Sequence, residues 1–292
     1  MTGIRPPAYR LPDDITLGRV TLQISDMEQS LAYYQGVLGF RVLSRDGAVA
    51  TLGAQTGNVP LVELREVEGT QALGRHARLG LYHYAILLPS RAELGSFVQH
   101  LAEVGAQAGS ADHLVSEALY LRDPDGLGIE VYADRARDTW QLDGQQLKMA
   151  TDPLDFTNLA RAADGVRWTG MPEGTVMGHV HLHVGDIDEA AAFYHAGLGL
   201  DKVVWGYPGA LFLSAGGYHH HLGINTWAGR GALPAGDADA RLVEWHMVLP
   251  SQQDVEAAAT SLEHSGYEVT HAGDHRLVRD PWGTHIRLRS DC

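Results

Sequence analysis

The sequence predicts an α+β chain of four βαβββ modules, each a strand, a helix and then three short strands. Three observations predict this. Gly18 to Phe40, GRVTLQISDMEQSLAYYQGVLGF, aligns without a gap with Gly178 to Leu200, GHVHLHVGDIDEAAAFYHAGLGL, an internal repeat. A second pair, HYAILLPSRAELGSFVQHLAEVGAQ and EWHMVLPSQQDVEAAATSLEHSGYE, runs on in both copies into a DPxG turn, Asp123 to Gly126 and Asp280 to Gly283. Within every copy, alternation of period two gives way across a polar turn to a helical period, then to short runs bounded by Gly, Asp and Pro.

Each element follows in order. The strand of module one ends before Asp26, an N-cap residue type, and the helix from Met27 stops at Leu38-Gly39, a C-terminal glycine signal. Module two opens on LYHYAILLP, carries an amphipathic helix that ends near Gly, and returns through DPDGLGIEVY. Asp134 to Thr175 has weak periodicity and several Asp, Gly and Pro residues, which reads as a linker with one short helix. Module three repeats the first pattern with Asp186 as N-cap and a helix from Ile187, and module four repeats the second. The expected organisation is therefore 15–133 for modules one and two, 134–175 for the linker and 176–290 for modules three and four.

Composition narrows the function. A chain of 292 residues, 45% hydrophobic, is long enough for real cores. A net charge of −14 argues against nucleic acid and anionic membrane surfaces as partners. One cysteine, Cys292, excludes an intrachain disulfide framework and a thiolate metal site. With no signal-like stretch after Met1 and no apolar run of membrane-spanning length, the expected compartment is the cytoplasm.

Histidines mark the chemistry. SAGGYHHHLGINTW, Ser214 to Trp227, sets three imidazoles in a row; strand alternation would send His219 and His221 to one face and His220 to the other. His179, His181 and His183 share a strand face by the same rule.

Four βαβββ modules, with DPDGLGIEVY, MGHVHLHVGD, LYHYAILLPSRAELG, ADHLVSEALYLRDPDGLGIEVYADR and LSAGGYHHHLGINTW, resemble the vicinal oxygen chelate superfamily. That superfamily includes glyoxalase I, the type I extradiol dioxygenases and the bleomycin resistance proteins, and within it the chain is most similar to the two-domain bacterial catechol 2,3-dioxygenases. The resemblance covers nearly all of the chain outside the linker. It implies paired modules forming two curved mixed sheets around a cavity, with metal ligands on the first and last strands of the modules. Carried over residue by residue, it implies His83 and Glu130 from module two and His179 and His221 from module three as ligands, with His219 replacing His221 if the register slips by two. Module one has Arg19 at the place of His179, and module four has Arg287 at the place of Glu130. His113, in ADHLVSE, matches the proton-transfer histidine of the extradiol enzymes, with altered spacing. Tyr120 and Tyr132 are cavity or packing residues, and packing is the expectation for Tyr132.

Two imidazoles and a carboxylate on one face suit Fe(II) or Mn(II) with open positions for a catecholate and dioxygen. A more saturated Zn(II) or Ni(II) set would suit isomerase or Lewis-acid chemistry. The leading expectation is an extradiol-type ring-cleaving dioxygenase acting on an aromatic diol. The alternatives are a glyoxalase-like isomerase or lyase and a small-molecule sequestration protein of the bleomycin-resistance kind. Module pairing stays open at this point. Pairing in chain order leaves each half an incomplete site, to be finished by Glu63 in the first and by Glu244 or His246 in the second. Pairing two with three and one with four gives one complete site, within one chain or across a swapped homodimer.

Overall fold

The computed structural model describes residues 3–74 and 78–290; Cys292 lies outside them. Module one is β1 (Thr16–Ile24), α1 (Met27–Gly36), β2 (Arg41–Asp46), β3 (Val49–Gly53) and β4 (Val62–Glu66). Module two is β5 (Gly80–Leu87), α2 (Arg91–Glu103), β6 (Gly109–Asp112), β7 (Ser116–Arg122) and β8 (Gly128–Asp134). The connecting segment holds a 3-10 turn over Arg137–Thr139, a hairpin of β9 (Leu142–Asp143) and β10 (Gln146–Leu147) and one short α-helix, α3 (Phe156–Arg161). Module three is β11 (Val176–His183), α4 (Ile187–Ala191), β12 (Asp201–Val204), β13 (Ala210–Ser214) and β14 (Leu222–Asn225). Module four is β15 (Arg241–Leu249), α5 (Gln252–His264), β16 (Val269–Ala272), β17 (His275–Arg279) and β18 (His285–Ser290).

The capping aspartates act as their sequence positions suggest. Asp26 accepts from the Gln29 N–H and Asp186 from the Glu189 N–H, both at 2.9 Å, so each satisfies an otherwise orphaned donor of the first helical turn. After α4 the backbone widens into a π-helical segment over Ala192–Gly197, where the sequence predicts a continuous helix.

The strands do not pair in chain order. β1 lies antiparallel to β15, joining modules one and four, and β5 lies antiparallel to β11, joining two and three. Both pairings occur within one chain. The two curved mixed sheets touch through one register pair, Leu17 with Met177, so hydrogen bonding runs unbroken from β16 to β6.

The polar anchors follow the other connectivity. Tyr34 on α1 donates to Asp123 in the turn of module two at 3.1 Å, and Tyr194 donates to Asp280 of module four at 2.8 Å. Strands thus join one to four and two to three, while buried tyrosines join one to two and three to four. Among the described residues no helix is long and apolar enough to cross a membrane.

Candidate metal centre

Three adjacent strands supply the site. β8 pairs parallel with β5 so that Glu130 stands beside Ala85, and β11 pairs with β5 so that His179 also stands beside Ala85. Glu130, Ala85 and His179 therefore form one row across the sheet, with a methyl group in the middle. His83, two residues before Ala85, points to the same face. The small central side chain leaves a gap toward which the three larger ones lean.

The donor atoms converge in that gap. His83 Nε2 lies 3.0 Å and His179 Nε2 3.1 Å from the same carboxylate oxygen, Glu130 Oε2. The three ligand atoms sit within 4.8 Å of one another and all three residues are buried. His83 Nε2 is close to the carboxylate, yet among the described residues it has no partner in hydrogen-bond geometry. Such an atom aims at a common point rather than at its neighbour. A buried carboxylate with two imidazoles and an orphaned nitrogen fits a divalent cation.

Protonation agrees with that fit. Burial pushes the His83 and His179 imidazoles below their ordinary value, which Glu130 only partly offsets. Burial would raise Glu130, but the two histidines outweigh it and hold the carboxyl well below the usual range. Neutral imidazoles beside a carboxylate are the forms that a metal binds.

The cluster opens on a cavity of about 520 Å³ walled by Tyr82, Phe212, Tyr207 and Trp227. His113 lines it too. Its Nδ1–H donates to the Ala150 carbonyl at 2.6 Å, which leaves Nε2 as acceptor for the Tyr120 hydroxyl at 2.5 Å. Burial, and then the Glu130 carboxylate, keep the Tyr120 phenol well above its ordinary range. Tyr132, by contrast, is fully buried and bonds the Tyr218 hydroxyl at 2.6 Å, in keeping with packing.

The structure reverses the expected roles within the histidine run. His220 lines the cavity and its ring lies 4.0 Å from that of His179. His221 instead sits against Ser214 Oγ, 3.1 Å from its Nδ1, and faces a second cavity. Its imidazole, lowered to about 3 chiefly by burial, is a neutral packing group there. His219 donates from Nε2 to Asp134 at 2.9 Å and is no substitute ligand. The physical reason is local. β14 begins at Leu222, and the three histidines lie in the irregular turn before it, where strand alternation does not hold.

Sequence reasoning also missed Asn225. Its Oδ1 accepts from the Trp227 backbone N–H at 2.9 Å, so Nδ2 must be the group 2.9 Å from His181 Nε2. His183 Nδ1–H donates to the same Oδ1 at 2.7 Å. The amide therefore commits His181 Nε2 as an acceptor, which removes it from ligation. The Ala150 carbonyl was equally invisible, because a linker read as a spacer in fact walls the cavity through Met149, Ala150 and Thr151.

The second module pair carries different residues at the same places. Glu244 stands where His83 does, Arg287 where Glu130 does, and His246 where Ala85 does. Arg287 donates to Glu244 from Nε at 2.8 Å and Nη2 at 3.0 Å, and His246 Nε2 lies 2.9 Å from the same carboxylate. The ion pair and the filled central position leave no ligand set there among the described residues. Glu63, the other candidate, is bound by Arg19 and Arg65.

Known proteins share this architecture. The sequence profile of the Glyoxalase/Bleomycin resistance protein/Dioxygenase superfamily matches residues 16–131 and 176–288. The chain is 44% identical over 272 residues to a protein named catechol-2,3-dioxygenase from Bacillus subtilis (strain 168), spanning 92% of this chain and 95% of that one. A solved putative dioxygenase from Bacillus subtilis superposes with a TM-score of 0.64 at 16% identity, covering 97% of this chain and 86% of the other. Glyoxalase I from Zea mays gives 0.56 at 15% identity, covering 94% and 92%. With both halves matched and the fold shared, the chain belongs to the glyoxalase/bleomycin resistance protein/dioxygenase superfamily.

Proposed function

We propose that the protein is an Fe(II)-dependent extradiol-type dioxygenase that opens the ring of a catechol or related aromatic diol. One observation carries the reading: among the described residues, His83, His179 and Glu130 alone bring their ligand atoms within 4.8 Å of one another, as two neutral imidazoles and one carboxylate. Fe(II) held by these three would give a catecholate and dioxygen a common binding site and the redox couple that links them. The departure of His221 from the cluster favours such an open set over the more saturated one that suits an isomerase. The identity to a catechol-2,3-dioxygenase supports the same reaction class.

The remaining residues have roles that follow from their contacts. Tyr82, Phe212 and Trp227 give a flat ring apolar and aromatic surfaces to lie against. His113, with its Nδ1 proton fixed on the Ala150 carbonyl, can take a proton at Nε2 through the Tyr120 hydroxyl and return it as the ring opens. Burial keeps His181 and His220 neutral, so they orient substrate without competing for it as charges.

Anaerobic loading with Fe(II), followed by oxygen uptake with a panel of catechols, tests the proposal. Uptake coupled to a ring-cleavage chromophore is the expected result. Tight Zn(II) or Ni(II) binding without oxygen uptake would instead favour an isomerase or lyase, and failure to bind any metal would favour sequestration.

A further inference from the structure

The second module pair has a cavity of its own, about 770 Å³, on the face where Arg19 and Arg287 replace His179 and Glu130. Its electrostatics invert those of the metal cup. Burial would raise Glu244, but His246 and Arg287 outweigh it and hold the carboxyl at about 2, so its charge is already neutralised by the Arg287 fork. Among the described residues the cavity wall carries four arginines, Arg19, Arg137, Arg287 and Arg289, against one carboxylate, Asp274. Arginines still outnumber carboxylates once the buried Glu63 and Glu244 are added. In a chain of net charge −14, this is a local basic hollow in an acidic surface.

Arg19 is the group with donors to spare. It is tied to Glu63 through Nη1 at 2.9 Å, its Nε is closed off from solvent with no hydrogen-bond partner among the described residues, and the side chain as a whole stays 28% exposed. Glu63 does not depend on it, since Arg65 also binds that carboxylate at 2.6 Å. Part of the lining is apolar, formed by Leu17 and Met177 where the two sheets meet and by Leu87. A fork-shaped cation and an apolar patch in one cavity select for a planar anion attached to a hydrophobic body.

We propose that this cavity is a binding site for small organic carboxylates with an apolar body, anchored by Arg19 and separate from the metal centre. A carboxylate pairs two oxygens with the guanidinium fork, while the body covers Leu17 and Met177. The site needs no metal and no part of the diol chemistry.

Fluorine NMR titration of the metal-free chain with 4-fluorobenzoate tests this, with 4-fluorobenzyl alcohol as the neutral counterpart and inorganic phosphate as competitor. Saturable binding of the benzoate is expected, at least tenfold weaker in Arg19→Gln, partly restored in Arg19→Lys, and unchanged in His83→Ala. Val59, at the mouth of the cavity, is 72% exposed, so Val59→Glu adds a repelling charge without threatening the fold and should also weaken binding. No binding by the wild-type chain would overturn the proposal. So would equal affinity in Arg19→Gln and Val59→Glu, or loss of binding confined to His83→Ala, which would put the anion in the metal cup. Equal binding of the alcohol, or displacement by phosphate at matched concentration, would overturn the assignment to apolar carboxylates.

Discussion

Glu130 and Arg287 occupy the same place in the repeat, seven residues after the aspartate of a DPxG turn, and carry opposite charge. Glu130 is met by two imidazoles that burial keeps from taking up a positive charge, whereas Arg287 neutralises Glu244 directly. One module pair therefore asks for a cation and the other supplies its own. Elemental analysis should find one divalent metal per chain. Glu130→Ala, His83→Ala and His179→Ala should each empty it. Two metals per chain, or variants that empty different sites, would contradict the single centre.

Ala85 gives a second expectation, because its methyl lies between Glu130 and His179 where the other module pair has His246. Ala85→Leu should displace the metal while leaving the ligands in place. The overpacking cost, about 1–3 kcal/mol, should lower the melting temperature without abolishing folding. Full metal occupancy in a folded Ala85→Leu chain would show that the gap is not the cation's seat.

His113 should separate metal binding from chemistry. His113→Asn should retain the metal, yet lose about 10²- to 10⁴-fold in the ring-opening rate, as expected for removal of a proton-transfer group. Single-turnover measurements keep substrate affinity out of the comparison. An unchanged rate would return His113 to a wall residue.

The histidine run yields a contrast between neighbours. His221→Ala should keep metal content and turnover, because its ring packs on Ser214 away from the cluster. His220→Ala should disturb turnover, since it removes a ring centred 4.0 Å from that of His179. The opposite pattern would reinstate His221.

Much of this was legible beforehand. The repeat gave the module pattern, Asp26 and Asp186 gave the helix starts, and His83, Glu130 and His179 stood out because each lies inside a paired strand, where position predicts direction even beside the register shift next to His179. His220 and His221 were misread because they precede β14 in a turn whose backbone follows no fixed period. Asn225 and the Ala150 carbonyl escaped notice for another reason: their roles depend on partners 44 and 37 residues away, and nothing in local sequence signals such a meeting.

Asp123 offers a test in which pH is the variable. Burial raises its carboxyl from 3.8 to about 7, with the Leu127 N–H and Tyr34 opposing. A carboxyl raised in the folded state favours folding while protonated, so stability is full below about pH 4 for this group and is lost as pH rises through 7. The loss is on the order of a few kcal/mol. Asp123→Asn can still accept from the Asp125 and Leu127 N–H groups, so it should flatten the melting-temperature profile between pH 4 and 7. An identical slope in the variant would assign the effect elsewhere.

The crosswise strand pairing bears on how the chain is made. β1 must wait for β15, more than two hundred residues later, and β5 must wait for β11. During synthesis the Tyr34 and Asp123 anchor can close first, because both residues lie in the first two modules. The centre itself cannot exist until His179 has left the ribosome, so the nascent first half carries Glu130 and His83 as an unfinished, metal-blind surface. Contacts this distant in sequence also make slow assembly the expectation, and a break anywhere in the connecting segment would divide the metal site rather than release two working halves.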